Sequence, residues 1–288
     1  MAGETRRAVE VQPDWLRRVP TDKRLPDEAV VVHTGCGTSF HAAQTGGWAV
    51  QALEAVLRAP RADIMVCVSH EGATALTMEA ERAFGGDVWL VTGNPDTEFA
   101  DLVDEVIVCT PEIERSWCHT ASYTAAVAAI AALHGDDISE LPDAVEKALA
   151  QDVEPFDESR VLIVGAGRDW PTAQEAALKL REGAWVDATA FQTETILHGH
   201  LAAVDESMRA YVLQGEGRAE ERAAEAVKAL ETLGCRVESV PTEHPVVDIV
   251  RFQLLTLAVA EARGIDPDPI RRTAGSPWAE AAGEPYPG

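Results

Sequence analysis

Short β-branched runs alternate with longer alanine-rich stretches along most of the chain. Residues 29–32, 64–68, 88–92 and 106–109 in the first half, and 161–164, 210–214 and 236–239 in the second, read as strands. Between them, residues 40–58 and 171–186 carry the spacing of amphipathic helices, while 120–133 and 246–262 are long apolar helix candidates suited to packing between domains or protomers. Strands that alternate with helices argue for mainly parallel sheets covered on both faces, an α/β class built of three-layer αβα sandwiches.

Two of the strand runs enter similar turns. Residues 29–32 lead into His33-Thr34-Gly35-Cys36-Gly37-Thr38-Ser39, and 161–164 into Gly165-Ala166-Gly167-Arg168-Asp169, each followed by a helical pattern. This strand, turn and helix unit, met twice about one domain apart, predicts an internal repeat. The boundaries that follow are an N-terminal arm at 1–25, a first domain at 26–145, a second at 146–265 and a proline- and alanine-rich tail at 266–288 that wraps instead of forming a unit of its own.

A single G-x-G turn is weak evidence for a dinucleotide. Gly35-Cys36-Gly37 lacks the third glycine, and no acidic residue closes a second strand about twenty residues on. The hydroxyls carry more information. Thr38 and Ser39 follow the first turn, and Ser69 and Thr74 flank a second one, Ser69-His70-Glu71-Gly72-Ala73-Thr74, that follows the run 64–68. Neighbouring strand ends would place all four over helix N-termini, where ligands of open α/β sheets bind; each taken singly is equally well read as a helix cap.

Composition narrows the classes. A chain of 288 residues with 46% hydrophobic and 25% charged residues has room for two domains with real cores, and no apolar run approaches a membrane span. The N-terminal segment has no apolar signal core, so the expected location is the cytoplasm. A formal charge of −24, spread without an acidic tail, argues against a nucleic-acid partner. The 5 cysteines form no C-x-x-C pair and read as reduced core residues, with no metal cluster. Lysine is scarce (Lys23, Lys147, Lys179 and Lys228), which draws attention to Lys179 within Glu175-Ala176-Ala177-Leu178-Lys179-Leu180-Arg181-Glu182. Glu175, Lys179 and Glu182 share one side of a helix whose stripe is Ala173, Ala176, Ala177, Leu180 and Ala184; spacing alone fits a surface salt-bridge ladder.

The order Gly35-Cys36-Gly37-Thr38-Ser39, Ser69 to Thr74, Gly165-Ala166-Gly167, Glu175 to Glu182 and His198-Gly199 resembles the double sugar-isomerase (SIS) domain family. It looks like the isomerase half of the glutamine-fructose-6-phosphate transaminases, with the related deglycases and deaminases, and the similarity runs from about residue 29 to about residue 272. It implies two tandem SIS domains, no cofactor, a sugar-derivative ligand, and a homodimer with shared active sites. The Glu182 position would move a proton between C1 and C2 of an open-chain sugar. His198 would open the ring, reaching in from the neighbouring subunit, and Lys179 would orient substrate and carboxylates. Cys36, Gly37, Thr38, Ser39, Ser69, His70, Glu71, Thr74, Trp117 and His119 would bind substrate. The amidotransferase half of such enzymes uses an N-terminal cysteine nucleophile; this sequence begins Met1-Ala2-Gly3, so no ammonia-donating synthase is expected of this polypeptide alone.

The pattern breaks in several places. Where the family reads S-Q-S-G-E-T around the sugar phosphate, this chain has His70, Glu71 and Ala73, and His200 stands where the family has proline. A carboxylate about 4 Å from a phosphate dianion costs on the order of several kcal/mol in a partly buried site. Either Glu71 points away or the ligand end there is a neutral polyol or an amine; a protonated His70 would restore positive charge. In Trp117-Cys118-His119-Thr120, His119 replaces a substrate-binding serine, and Trp117 offers an aromatic face to a sugar or a core plug. The tail lysine of the family falls on Gly275, leaving carbonyl chemistry to Glu182 and His198, helped by Arg271 or Arg272. The expected activity is aldose-ketose isomerisation of a sugar or amino-sugar derivative, with an amino-sugar deaminase or deglycase and a non-catalytic sugar-binding module as alternatives.

Overall fold

The computed structural model describes residues 3–286. Two compact units make up the chain. The N-terminal unit holds residues 10–115 and 119–147; the C-terminal unit holds the segment up to residue 9, residues 116–118 and everything from 148 on. The first boundary therefore falls inside helix α1 (Gly3–Leu16).

In the N-terminal unit the order is β1 (Val31–Thr34), α2 (Thr38–Gln44), α3 (Ala52–Leu57), β2 (Ile64–Val68), α4 (Ala75–Ala83), β3 (Asp87–Thr92), α5 (Glu98–Leu102), β4 (Glu105–Val108) and α6 (Ala121–Leu133). The strands form one parallel sheet in the order β1-β2-β3-β4, with Val31 opposite Ile64 and Ile64 opposite Asp87. Strand β2 is apolar at every position because it is buried on both faces. Val32, Met65, Cys67, Val88 and Leu90 pack with Ala52, Ala55, Ala80 and Phe99 into one core. Helix α6 is apolar all round and almost wholly buried, which its alanines permit by allowing close approach.

The predicted helix over 40–58 is two helices. The chain leaves α2 at Thr45-Gly46-Gly47, and Ala49 makes a parallel bridge to His33 on the free side of β1. Gly46 is required there: a Cβ would lie 2.3 Å from His33 Nε2.

Helix α7 (Leu141–Leu149) leads into the C-terminal unit, which contains β5 (Arg160–Gly165), α8 (Asp169–Ala184), β6 (Asp187–Gln192), α9 (Thr193–Leu197), a 3-10 turn at His200–Ala203, β7 (Met208–Leu213), α10 (Arg218–Thr232), β8 (Arg236–Val240), α11 (Pro245–Ala262) and α12 (Pro277–Ala282). Its parallel sheet runs β6-β5-β7-β8. Leu162, Val164, Ile196, Met208, Ala210, Val212, Ala226 and Leu230 form its core on the α10 side. At the carboxyl ends of β5 and β7 the chain pairs its own charges, with Arg168 Nη2 2.6 Å from Glu216 Oε1, and Thr242 donating to Asp169 at 3.0 Å. Strand β6, at the sheet edge, is not among the strands read from the sequence, and part of the tail forms the short helix α12.

Two details position the tail and α8. Asp268 caps the start of α1 from a distance of more than 260 residues: its carboxylate accepts from Glu4 N at 3.0 Å, Thr5 N at 2.8 Å and Thr5 Oγ1 at 2.7 Å. Helix α8 packs on α11 at Gly183, where an added Cβ would sit 2.5 Å from Thr256 Cγ2. Thr256 is buried and its hydroxyl is fixed on Phe252 O at 2.8 Å, so it has nowhere to go. Gly183→Ala is expected to lower the unfolding free energy by about 1–3 kcal/mol, read by urea denaturation, from overpacking at this crossing. An unchanged midpoint would mean the two helices separate freely.

Candidate active site

The three charged residues of α8 are not a surface ladder. Glu175 and Lys179 are fully buried, and Glu182 retains 22% side-chain exposure. Lys179 Nζ lies 3.3 Å from Glu175 Oε1 and 2.7 Å from Glu182 Oε2, and it also donates to the carbonyl of Cys118. Burial opposes the lysine charge, but the two carboxylates and the carbonyl outweigh it and raise its pKa. The ammonium is therefore a fixed positive centre. Burial pushes the Glu182 carboxyl up from its ordinary value, Glu175 adds to that push, and Lys179 and Arg272 hold it back. A carboxylate raised but still ionisable is what proton transfer near neutral pH requires.

Glu182 opens onto a cleft of about 540 Å³ lined by Arg181, Trp185, Asp187, Arg271, Arg272 and Trp278, among others. Two tryptophans sandwich Arg271, whose guanidinium carbon lies 4.0 Å from the Trp185 ring centre and 4.6 Å from that of Trp278. Arg272 lies 5.3 Å over Trp117, which in turn meets Tyr286 edge-on at 5.3 Å. Trp117 is thus a tail-packing residue as well as a candidate sugar face. Three of the four non-glycine residues with positive φ among the described residues, Trp185 (55°), Ile270 (42°) and Arg271 (67°), line this cleft. Such backbone costs about 1–3 kcal/mol per residue and tends to gather at functional sites.

His198 is not among the residues lining the cleft. It ends α9, is 73% exposed, and places Nε2 2.6 Å from Glu194 Oε1, while Arg222 Nε lies 2.9 Å from the other oxygen, Oε2. The His200 ring meets Phe191 at a tilt of 46°, with ring centres 4.8 Å apart.

In the N-terminal unit the predicted ligand loops occupy the carboxyl ends of β1 and β2. Gly37, at φ 55°, turns the chain into α2, which begins with Thr38 and Ser39; Cys36 lies 3.8 Å from Thr77 Oγ1. Ser69 and Thr74 join their hydroxyls at 3.1 Å across the loop. Glu71 is solvent-exposed, and its carbonyl accepts from Asn94 Nδ2 at 3.4 Å.

His70 does not supply positive charge. Its Nε2 accepts the backbone N–H of Glu114 at 2.9 Å, so a proton there would break the bond. Burial, reinforced by His119 whose ring centre is 5.7 Å away, lowers its pKa to about 4. The condition under which His70 would restore positive charge is therefore not met at neutral pH, where the ring is an uncharged acceptor.

Sequence reasoning missed Glu114. This buried carboxylate accepts from Thr120 N at 2.7 Å, Thr120 Oγ1 at 3.2 Å and Ser122 N at 2.8 Å, capping α6 and holding the turn at His119, whose φ is 40°. No motif marks it. His119 Nδ1 lies 3.4 Å from Ser122 Oγ. Among the described residues no cluster of metal-ligating side chains is present, and no helix is long and apolar enough to cross a membrane.

The architecture is that of sugar-phosphate isomerase and deaminase structures. The chain superimposes on a glucosamine-6-phosphate deaminase from Thermotoga maritima with a TM-score of 0.74 at 20% identity, covering 92% of this chain and 96% of that one. It matches the tagatose-6-phosphate ketose/aldose isomerase of Escherichia coli with a TM-score of 0.73 at 16% identity, covering 92% and 95%. In sequence it is similar to the glutamine–fructose-6-phosphate aminotransferase (isomerizing) of Gloeobacter violaceus, 26% identical over 85% of this chain and 51% of that enzyme. The chain spans about half the length of the curated relatives it matches. No family model matches it.

Proposed function

We propose that the chain is a cofactor-independent sugar or amino-sugar isomerase of the SIS type, moving a proton between C1 and C2 of an open-chain substrate. The observation that carries this reading is the Glu182 carboxylate, desolvated enough to be raised, anchored by the buried Lys179 ammonium, and open to a cleft large enough for a hexose derivative. Glu182 is the base. Lys179 fixes its rotamer and opposes the upward push of burial, so that the carboxyl stays ionisable. Glu175 balances the second half of the lysine charge.

Thr38, Ser39, Ser69 and Thr74, with Cys36, Gly37, His70, Glu71, Trp117 and His119, are proposed to bind substrate, as the resemblance implies. With His70 neutral, the Ser69 to Thr74 loop offers hydroxyls and no cationic side chain, which suits an uncharged or amine-bearing end better than a phosphate. His198 is proposed to open the sugar ring from within a homodimer; its exposure and its pairing with Glu194 are compatible with service outside its own subunit.

A deaminase that expels amine after the same proton transfer is the second reading, favoured by the shared fold with the Thermotoga maritima deaminase. The test is solvent deuterium incorporation at C1 and C2 of fructose 6-phosphate, glucosamine 6-phosphate and their unphosphorylated counterparts, followed by NMR with ammonia assayed in parallel. Exchange should slow by at least about a hundredfold in Glu182→Gln. Equal exchange in both proteins would remove Glu182 from the base role, and ammonia release would select the deaminase.

A further inference from the structure

The tail of the C-terminal unit is built as a cationic strap over the base. We propose that Arg272 contacts the substrate, donating to the oxyanion that forms when Glu182 removes its proton, and that Arg271, clasped by Trp185 and Trp278, holds it in place. The inference rests on the isomerase reading given above.

Several independent features converge on it. Arg272 and Glu182 line the same cleft. The Arg272 main chain is pinned on both sides, its N–H donating to Pro269 O at 2.7 Å and its carbonyl accepting from Tyr286 N at 2.7 Å. Its guanidinium carbon lies 5.3 Å over the Trp117 ring, a contact that engages the cation without using up its N–H donors. The neighbouring Arg271 spends its charge on two indole faces, its carbonyl accepts from Ser276 Oγ at 2.8 Å, and its Nε is buried. The two arginines thus have different tasks: one is a fastener, the other a donor. The positive φ of Ile270 and Arg271 bends the strap into this shape. Arg272 also opposes the upward push on the Glu182 carboxyl, so its charge is already felt at the base.

The step balances without a co-reactant. Glu182 takes the proton from C2 of the open-chain aldose, the C–H pair becomes the C1–C2 double bond, and the carbonyl pair moves onto O1. Arg272 N–H groups stabilise that oxyanion. The O2 hydroxyl proton passes to O1, and Glu182 returns its proton to C1 as the O2 carbonyl forms.

Two measurements test the proposal, and neither depends on turnover. The first is calorimetric binding of arabinonate, an aldonate whose carboxylate mimics the oxyanion, against neutral arabinitol. Wild type should prefer the aldonate by about tenfold or more, Arg272→Met should abolish the preference, and Arg272→Lys should keep part of it. The second is the ¹³C titration of the Glu182 carboxyl in the ligand-free protein. Its midpoint should rise by about half a pH unit or more in Arg272→Met and move the same way, by less, in Trp278→Ala, which frees one face of Arg271. An aldonate preference unchanged in Arg272→Met, or a Glu182 midpoint unmoved in both variants, overturns the proposal. If the midpoint moves as stated while wild type exchanges no sugar proton, Arg272 stands as the cation over Glu182 and the isomerase reading fails instead.

Discussion

Replacing Lys179 with methionine is expected to lower the unfolding free energy at pH 7 by about 3–5 kcal/mol, the usual cost of removing one partner from a buried ion pair. Methionine fills most of the space, so the loss is not a cavity effect. It comes from stranding Glu175, with no side-chain exposure, and Glu182, at 22%, without the ammonium that sits 3.3 and 2.7 Å away. The pH dependence provides a signature. In the variant both carboxyls should titrate higher folded than unfolded, so the folded state binds protons more tightly and stability should recover as pH falls from 7 to 5. Urea denaturation across that range decides the matter; a variant that loses stability in parallel with wild type would mean the triad contributes no net electrostatic organisation.

Two histidines act in the opposite sense. His33 and His70 each have a folded pKa lowered to about 4 by burial. The geometry explains why. His33 Nδ1 must donate to Trp48 O at 3.2 Å, leaving Nε2 as the acceptor for His134 Nε2–H at 3.0 Å, and His70 Nε2 accepts from Glu114 N. Neither ring can take a second proton without breaking a bond. Between pH 6.5 and 4 the unfolded chain therefore binds protons that these two folded rings refuse. Their combined contribution falls by about 4 kcal/mol between pH 7 and 5. Asp248 offsets this in part: burial raises its carboxyl to about 7, so the folded chain takes up a proton there first. His70→Gln keeps an acceptor for the Glu114 N–H and removes one titration, so stability should fall by about 2 kcal/mol less than in wild type over that range. A slope identical to wild type would show that His70 is protonated in the folded state after all.

The parts of the fold that were legible in the sequence are those set by local pattern. The buried run of β2 has no polar position, and α6 and α11 are apolar over three turns or more, so their identities follow from composition and length. Strand β6, Asp187-Ala188-Thr189-Ala190-Phe191-Gln192, was invisible because an edge strand needs only one partner and carries no apolar run. The break between α2 and α3 turns on Gly46 meeting the His33 ring, a contact between residues that only the folded backbone brings together.

The site divides in the same way. The spacing of Glu175, Lys179 and Glu182 was readable, but whether they faced water or the interior depended on the Cys118 carbonyl and the packing of α8 on α11. Glu114 could not be found at all, since a lone acid in a polar loop looks like ordinary surface; Arg271 was a candidate, but its clasp between two indoles was not readable. What each does is decided by partners far along the chain: Thr120 and Ser122 for one, Trp185 and Trp278 for the other.

The capping of α1 by Asp268 bears on modularity. The C-terminal unit is assembled from three separate stretches of chain, and Asp268 closes the circuit by binding Glu4 and Thr5, with Thr5 Oγ1 also 2.7 Å from Ser116 Oγ. A gene fragment encoding residues 148–288 would leave that aspartate without its Glu4 and Thr5 donors and discard the Cys118 carbonyl that accepts a hydrogen bond from Lys179. The unit is spatially compact yet not transplantable, so recombination or fusion engineering that treats residue 148 as a clean joint would exchange a fold for an incomplete one.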